Sequence, residues 1–170
     1  MEEALLIADA STLLNFLRVR RFDLIQGLGY EVHIVDAVFD EVQSERDHLE
    51  ELVRGGLIRT LALEGEAITG TVAHLLSRGL GNGESFSFAA AIEFGGAVAI
   101  DDRRAVKQVL KIAPQIRIFT TADIVVEGIQ SMKISIANAD LIKEEWELNH
   151  RFRLKFSSFM DVLQDKDESL

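Results

Sequence analysis

Four acidic positions fall where apolar runs end or helical patterns begin. They are Asp9 after Leu5-Leu6-Ile7-Ala8, Glu41 within Asp36-Ala37-Val38-Phe39-Asp40-Glu41-Val42, Glu84 after Gly81-Asn82-Gly83, and the pair Asp101-Asp102 after Ala97-Val98-Ala99-Ile100. A carboxylate at the carboxyl end of a buried parallel strand projects into the crevice where α/β proteins bind ligands. Several gathered there repel one another unless a divalent cation neutralises them. The set therefore reads as the parts of one metal site. Each acid also has an ordinary structural role open to it: Asp9 as a strand end, Glu84 as a first-turn acid favoured by the helix dipole, Asp101 or Asp102 as an N-cap. Their joint arrangement points to a site.

Other chemistry-bearing residues are less organised. His33, His48, His74 and His150 show no ligand spacing and read as structural or solvated. Gly79-x-Gly81-x-Gly83 follows a helical pattern and precedes no lysine, so it reads as a tight turn into a helix and not as a phosphate loop. Arg103, Arg104 and Lys107 follow the acidic pair, where a cation beside a metal site holds a flanking phosphate; surface salt bridging is the equal alternative. A second basic group, Arg18, Arg20 and Arg21, ends the first helical pattern. Trp146, Phe152 and Phe156 fall at helical spacing and are expected in the core or at a dimer interface, with base stacking as the rival role.

The elements that must position these residues alternate between strand and helix. Leu5 to Ala8 predicts a central strand, followed by a helix through Leu13, Leu14, Phe16 and Leu17 with Ser11 or Thr12 as N-cap. Val32 to Val35 predicts a second strand, with Asp36 capping the helix that carries Glu41 and a break near Ser44 to Asp47. Leu57 to Leu61 predicts a third strand, Glu66 to Ser77 a helix, and Ser85 to Phe94 another, with Phe86, Ala89, Ala90 and Phe94 suited to close packing. Strands at Ala97 to Ile100 and Ile116 to Phe119 bracket a helix carrying Val106, Val109 and Leu110, and Thr120-Thr121 closes the last strand. Repetition of this order implies an α/β fold with a mostly parallel sheet and helices on both faces.

At 170 residues and 48% hydrophobic content the chain has enough apolar surface for a packed domain. The expected division is a domain over residues 1–130, a C-terminal helical extension over 131–160 that packs on the domain or on a second copy, and an acidic, frayed tail over 161–170. A net charge of −10 excludes a broadly basic nucleic-acid-coating surface and leaves room for a local patch or a basic partner. The absence of cysteine excludes disulfides, thiolate metal sites and thiol nucleophiles. No run approaches the ~20 apolar residues of a membrane span, and the N-terminus lacks a signal-peptide pattern, so a cytoplasmic location is expected.

Together these motifs resemble a known family. Asp9-Ala10-Ser11 with Asn15 one turn on, Glu41 within Val38-Phe39-Asp40-Glu41-Val42, Gly81-Asn82-Gly83-Glu84 followed by Ala89-Ala90-Ala91, and Ile100-Asp101-Asp102-Arg103-Arg104-Ala105 resemble a PIN domain over about residues 4–126. More narrowly they resemble its DUF3368-like branch, described only as nucleic-acid-binding and related to toxins of the VapC type. The resemblance implies a three-layer α/β/α sandwich and a magnesium- or manganese-dependent ribonuclease. By position, Asp9, Glu41, Glu84 and one of Asp101 and Asp102 match the acidic quartet, with Ser11 and Asn15 as supporting polar residues. Hard oxygen donors without cysteine suit Mg2+ or Mn2+ better than zinc.

The reading is therefore a PIN-like endoribonuclease acting on single-stranded or looped RNA, with Arg103, Arg104 and Lys107 toward the substrate. An antitoxin partner and a homodimer are expected from the same resemblance. The rival from another class is a catalytically silent PIN-like interaction module that docks through its C-terminal region. A phosphotransfer domain or phosphatase with Asp9 as nucleophile is the third reading, weakened because Asp9-Ala10-Ser11 lacks a second aspartate.

Overall fold

The computed structural model describes residues 4–168. The run Leu5-Leu6-Ile7-Ala8 forms β1 (Leu5–Ala8), in which Leu6, Ile7 and Ala8 expose no surface. A strand buried on both faces has no polar face to alternate with, so an unbroken apolar run suits a central parallel strand. β1 pairs in parallel with β2 (Glu31–Val35) on one side and β4 (Ala97–Ala99) on the other, with Ile7 opposite His33 and Val98. β3 (Arg59–Leu61) and β5 (Ile118–Phe119) are the edges of a five-stranded sheet of order β3-β2-β1-β4-β5, parallel throughout.

That order reverses between β1 and β4. The chain first builds outward through β2 and β3, then returns to the other side of β1. In doubly wound sheets such a switch point opens a crevice beyond the carboxyl ends of the two central strands. Asp9 directly follows β1 there, and Asp101-Asp102 follow β4 after one intervening residue, Ile100.

Helices flank the sheet. Between β1 and β2 run α1 (Ala10–Arg18) and α2 (Phe22–Gln26), and between β2 and β3 run α3 (Asp36–Glu41) and α4 (Arg46–Arg54). α5 (Glu66–Ser77) and α6 (Asn82–Phe94) precede β4, and α7 (Arg103–Leu110) precedes β5. The buried small residues Ala89, Ala90 and Ala91 let α6 lie closely across β1, β2 and β4. A second packed group comprises α1 and α2, with α2 against β2 and against α8 (Thr121–Gln130). α9 (Ile136–Asn149) and α10 (Phe159–Glu168) complete the described chain. α9 is anchored by Trp146, which is fully buried, meets Phe16 and Phe152 edge-on with centroids 5.8 and 5.6 Å away, and donates from Nε1 to the Asn15 carbonyl at 2.8 Å.

Element boundaries differ from the sequence expectation at informative places. Asp9, not Ser11 or Thr12, holds the N-cap position of α1, and both hydroxyls lie in the first turn, where they donate to carboxylates. Asp36 lies within the first turn of α3, whose N-cap is Val35. α6 starts at Asn82, one turn earlier than Ser85, because the Glu84 carboxylate accepts from the Gly81 amide at the N-cap. Phe94, expected to pack, is 47% exposed at the end of α6. α8 was not anticipated, although Thr120-x-x-Asp123 is a capping box: Thr120 Oγ1 accepts from the Asp123 amide and Asp123 Oδ2 from the Thr120 amide. The segment expected as an acidic tail is helical through Glu168, and residues 169–170 lie outside the described residues.

Candidate active site

Asp9, Ser11, Glu41, Gly83, Glu84 and Asp102 line one cleft of about 510 Å3, with Ala10, Leu14, Gly81 and Asn82 completing its wall. Four different segments supply the carboxylates. Asp9 comes from the β1–α1 junction, Glu41 from the last turn of α3, Glu84 from the first turn of α6, and Asp102 from the β4–α7 junction. None of these four carboxylates has an ion-pair partner among the described residues.

Each acid is held by a donor that leaves capacity for a ligand. Asp9 has N-cap backbone geometry but its carboxylate caps no helix amide; instead Oδ2 accepts from Ser11 Oγ at 3.1 Å. Glu41 Oε1 accepts from the Gly83 amide at 3.1 Å, Glu84 Oε2 from the Gly81 amide at 2.8 Å, and Asp102 Oδ1 from the Ala105 amide at 2.8 Å. For Glu41, Glu84 and Asp102 the second carboxylate oxygen makes no hydrogen bond among the described residues. Two of these bonds use amides at the start of α6, where the helix dipole favours negative charge. A Cβ at Gly83 would fall 2.6 Å from Glu41 Oε1 and 2.9 Å from its Cδ, so a side chain there would push the Glu41 carboxylate from this position.

The crowding is visible in Asp9. It is 6% exposed, and its carboxyl is pushed up to about 6, chiefly by burial. The Ser11 hydroxyl opposes that rise, and the charges of Glu84 and Glu41 add to it. A buried carboxylate facing two others without a cation is an arrangement that a bound positive charge would relieve.

A model of the PIN-domain family, DUF3368, matches residues 5–168. The chain belongs to the PIN-domain family. The match runs from β1 through α10, so it takes in the C-terminal helices as well as the sheet. Among solved structures, FitAcB from Neisseria gonorrhoeae is similar at 14% identity and a TM-score of 0.49, covering 68% of this chain and 97% of that one. No curated protein matches the chain.

In this PIN domain the adjacent Asp101 and Asp102 have different surroundings. Asp101 does not line the cleft. Its Oδ1 accepts from the Thr121 amide at 2.9 Å, and its Oδ2 accepts from Thr121 Oγ1 at 2.6 Å and Thr12 Oγ1 at 3.0 Å. Asn15 lies on the same network, donating from Nδ2 to Thr121 Oγ1 at 3.1 Å, and it is not a cleft-lining residue either. Sequence reasoning missed Thr12, Thr121 and the Gly83 amide; Thr120-Thr121 beside a capping-box acid was the one available signal for the first pair.

The expected substrate residues Arg103, Arg104 and Lys107 lie on α7, directly after Asp102. All three are exposed, and none has an acidic partner among the described residues. Arg104 reaches back over the α5–α6 turn: its Nη2 lies 3.1 Å from where a Cβ on Gly79 would sit, and Gly79 itself has a φ of +84° that favours glycine. The donor chemistry of the cleft fits a hard divalent cation, since every candidate ligand is a carboxylate oxygen. The carboxylates are not drawn into a closed ligand cluster: among the described residues no three His, Cys, Asp or Glu side chains converge to metal-binding distance.

Proposed function

We propose that the chain is a divalent-cation-dependent endoribonuclease that hydrolyses RNA phosphodiester bonds at this cleft. The observation that carries the reading is four carboxylates, Asp9, Glu41, Glu84 and Asp102, on one cleft with no cationic partner among the described residues. Membership of the PIN-domain family supports nuclease chemistry at such a site. These four acids would hold Mg2+ or Mn2+, with Asp102 preferred over Asp101 because Asp102 lines the cleft while Asp101 accepts three hydrogen bonds from Thr12 and Thr121 outside it. When bound, such a cation supplies charge neutralisation for the phosphate and lowers the pKa of a water.

The chain's own residues do the rest. Ser11 orients the Asp9 carboxylate, the Gly83 amide in the first turn of α6 orients Glu41, and the Gly81 amide at its N-cap orients Glu84. Arg103, Arg104 and Lys107, without an acidic partner among the described residues, offer cations for phosphates flanking the scissile bond. RNA with an accessible backbone suits an open acidic cleft beside which α7 carries Arg103, Arg104 and Lys107 directly after Asp102. We propose further that the protein acts as a homodimer in the cytoplasm and that, if it is a toxin, its net charge of −10 attracts a basic antitoxin.

One observation favours a second reading, a PIN-like module that binds partners without catalysis: no closed ligand cluster is formed among the described residues. The two readings separate in one experiment. Cleavage of a mixed single-stranded RNA pool is followed with Mn2+, with Mg2+ and with EDTA, for wild type and Glu41→Gln. Cleavage that requires the cation and falls at least ~100-fold in the variant, the scale of losing one positioned electrostatic group, supports the nuclease. RNA binding without cleavage under every condition favours the module.

A further inference from the structure

The second feature of this molecule able to hold a polyanion lies at its C-terminal end and shares no lining residue with the acidic cleft. Residues Lys143, Glu147, Arg153, Leu154, Lys155, Phe156 and Ser157 line a groove of about 610 Å3 between α9 and the α9–α10 connection. Its walls carry three cations against one carboxylate, in a chain whose net charge is −10. Lys143 is only 8% exposed; it donates to Glu147 Oε1 at 2.8 Å and lies 6.0 Å from the Phe156 ring centroid. Arg153 and Lys155 are exposed and have no acidic partner among the described residues.

The connection is built with a repeat of two. Phe152, Leu154 and Phe156 are half-buried and pack on the core, while Arg151, Arg153 and Lys155 between them are exposed. Both ends of this segment are tied down. The Phe152 amide donates to the Trp146 carbonyl at 3.2 Å, and Asp140 accepts from Ser158 Oγ at 2.7 Å and from the Phe159 amide at 2.9 Å. The cations are thus presented on an anchored backbone, which reduces the ordering entropy a ligand must overcome.

We propose that this groove holds the phosphate backbone of single-stranded RNA, with Arg153 and Lys155 contacting phosphates, Lys143 as a fixed charge in the wall and Phe156 as a stacking surface for a base. A cationic groove that tracks a backbone beside an aromatic ring is the chemistry of single-strand binding. An acidic peptide would be drawn by the same charges but has less use for the ring. The site stands whether or not the acidic cleft cuts RNA, because it needs neither the carboxylates nor a cation.

The test is fluorescence anisotropy of a labelled twelve-nucleotide oligouridine with the full chain in EDTA, so that cleavage does not enter. Wild type is expected to bind with an affinity that falls with salt. Arg153→Glu with Lys155→Glu should weaken binding at least tenfold and lower the log-log salt slope by about 1.4, the value for two single-strand phosphate contacts. The milder Arg153→Gln with Lys155→Gln should fall between, which keeps the test open should the double reversal fold poorly. A charge-matched control outside the groove, Arg54→Glu with Lys111→Glu, should stay within about threefold of wild type. Equal loss in control and groove variants, binding unchanged in the groove variants, or no wild-type binding would each overturn the proposal. So would displacement of the RNA by oligoglutamate at equal concentration, which would assign the groove to an acidic peptide.

Discussion

Asp9 concentrates the electrostatics of the cleft in one side chain. Because its folded-state carboxyl sits at about 6 while an unfolded aspartate titrates near ~3.9, the folded chain binds more protons than the unfolded one between these values. Its contribution is therefore fully present below about pH 4 and is lost as pH rises to about 6, a decline on the order of 2–3 kcal/mol. Denaturant titrations in EDTA should show that decline in wild type and not in Asp9→Asn. The same variant should be more stable than wild type at pH 7.5 without metal, because an amide replaces a desolvated charge; a loss of stability there would contradict the account. Gly83 makes a second residue-scale test. In Gly83→Ala the new Cβ displaces the Glu41 carboxylate, the end of a flexible side chain, and alanine gains about 1 kcal/mol of helix propensity, so stability should not fall by more than about 1 kcal/mol. RNA cleavage should fall because Glu41 is displaced, and unchanged cleavage would remove Glu41 from the site.

At the scale of elements, the cleft depends on a lock between α1, the end of β4 and the start of α8. Thr12, Asp101, Thr121 and Asn15 form it, and Trp146 of α9 closes onto the Asn15 carbonyl. Thr121→Val removes the hydroxyl that Asp101 and Asn15 share, and should cost about 1–3 kcal/mol, chiefly by leaving the buried Asn15 amide without its acceptor while Asp101 keeps its bonds from the Thr121 amide and Thr12. Trp146→Ala should cost about 3–5 kcal/mol as a large core truncation, measurable by chemical denaturation. The central strands, α5 and α7 were legible in the sequence because an apolar run between a turn and an acid leaves few alternatives. Glu41 and Glu84 reach the cleft from helices α3 and α6, whereas the placement of Asp9 and Asp101-Asp102 at strand ends was legible for the same reason. The division of labour between Asp101 and Asp102 was not, since neighbours in sequence diverge only once their partners are known. The Glu41–Gly83 bond spans 42 residues and leaves no local pattern. α8 was missed by reading Thr120 as a strand stop when it is also a helix start.

For the molecule as a whole, the strand order puts the switch point of the sheet beside the two central carboxylate junctions, so topology and chemistry converge on one cleft. Charge is distributed unevenly over the molecule: an acidic chain carries, on α7 and in the α9–α10 connection, cations without an acidic partner among the described residues. Among the described residues no helix is long and apolar enough to cross a membrane. The central claim is that the four cleft carboxylates bind a divalent cation, and calorimetric titration of Mn2+ into wild type and Asp9→Asn at pH 7.5 tests it most directly. The account predicts saturable binding in wild type that weakens at least ~10-fold in the variant, the scale of losing one charged ligand contact. Equal Mn2+ binding by both proteins, or none by wild type at millimolar metal, would contradict it.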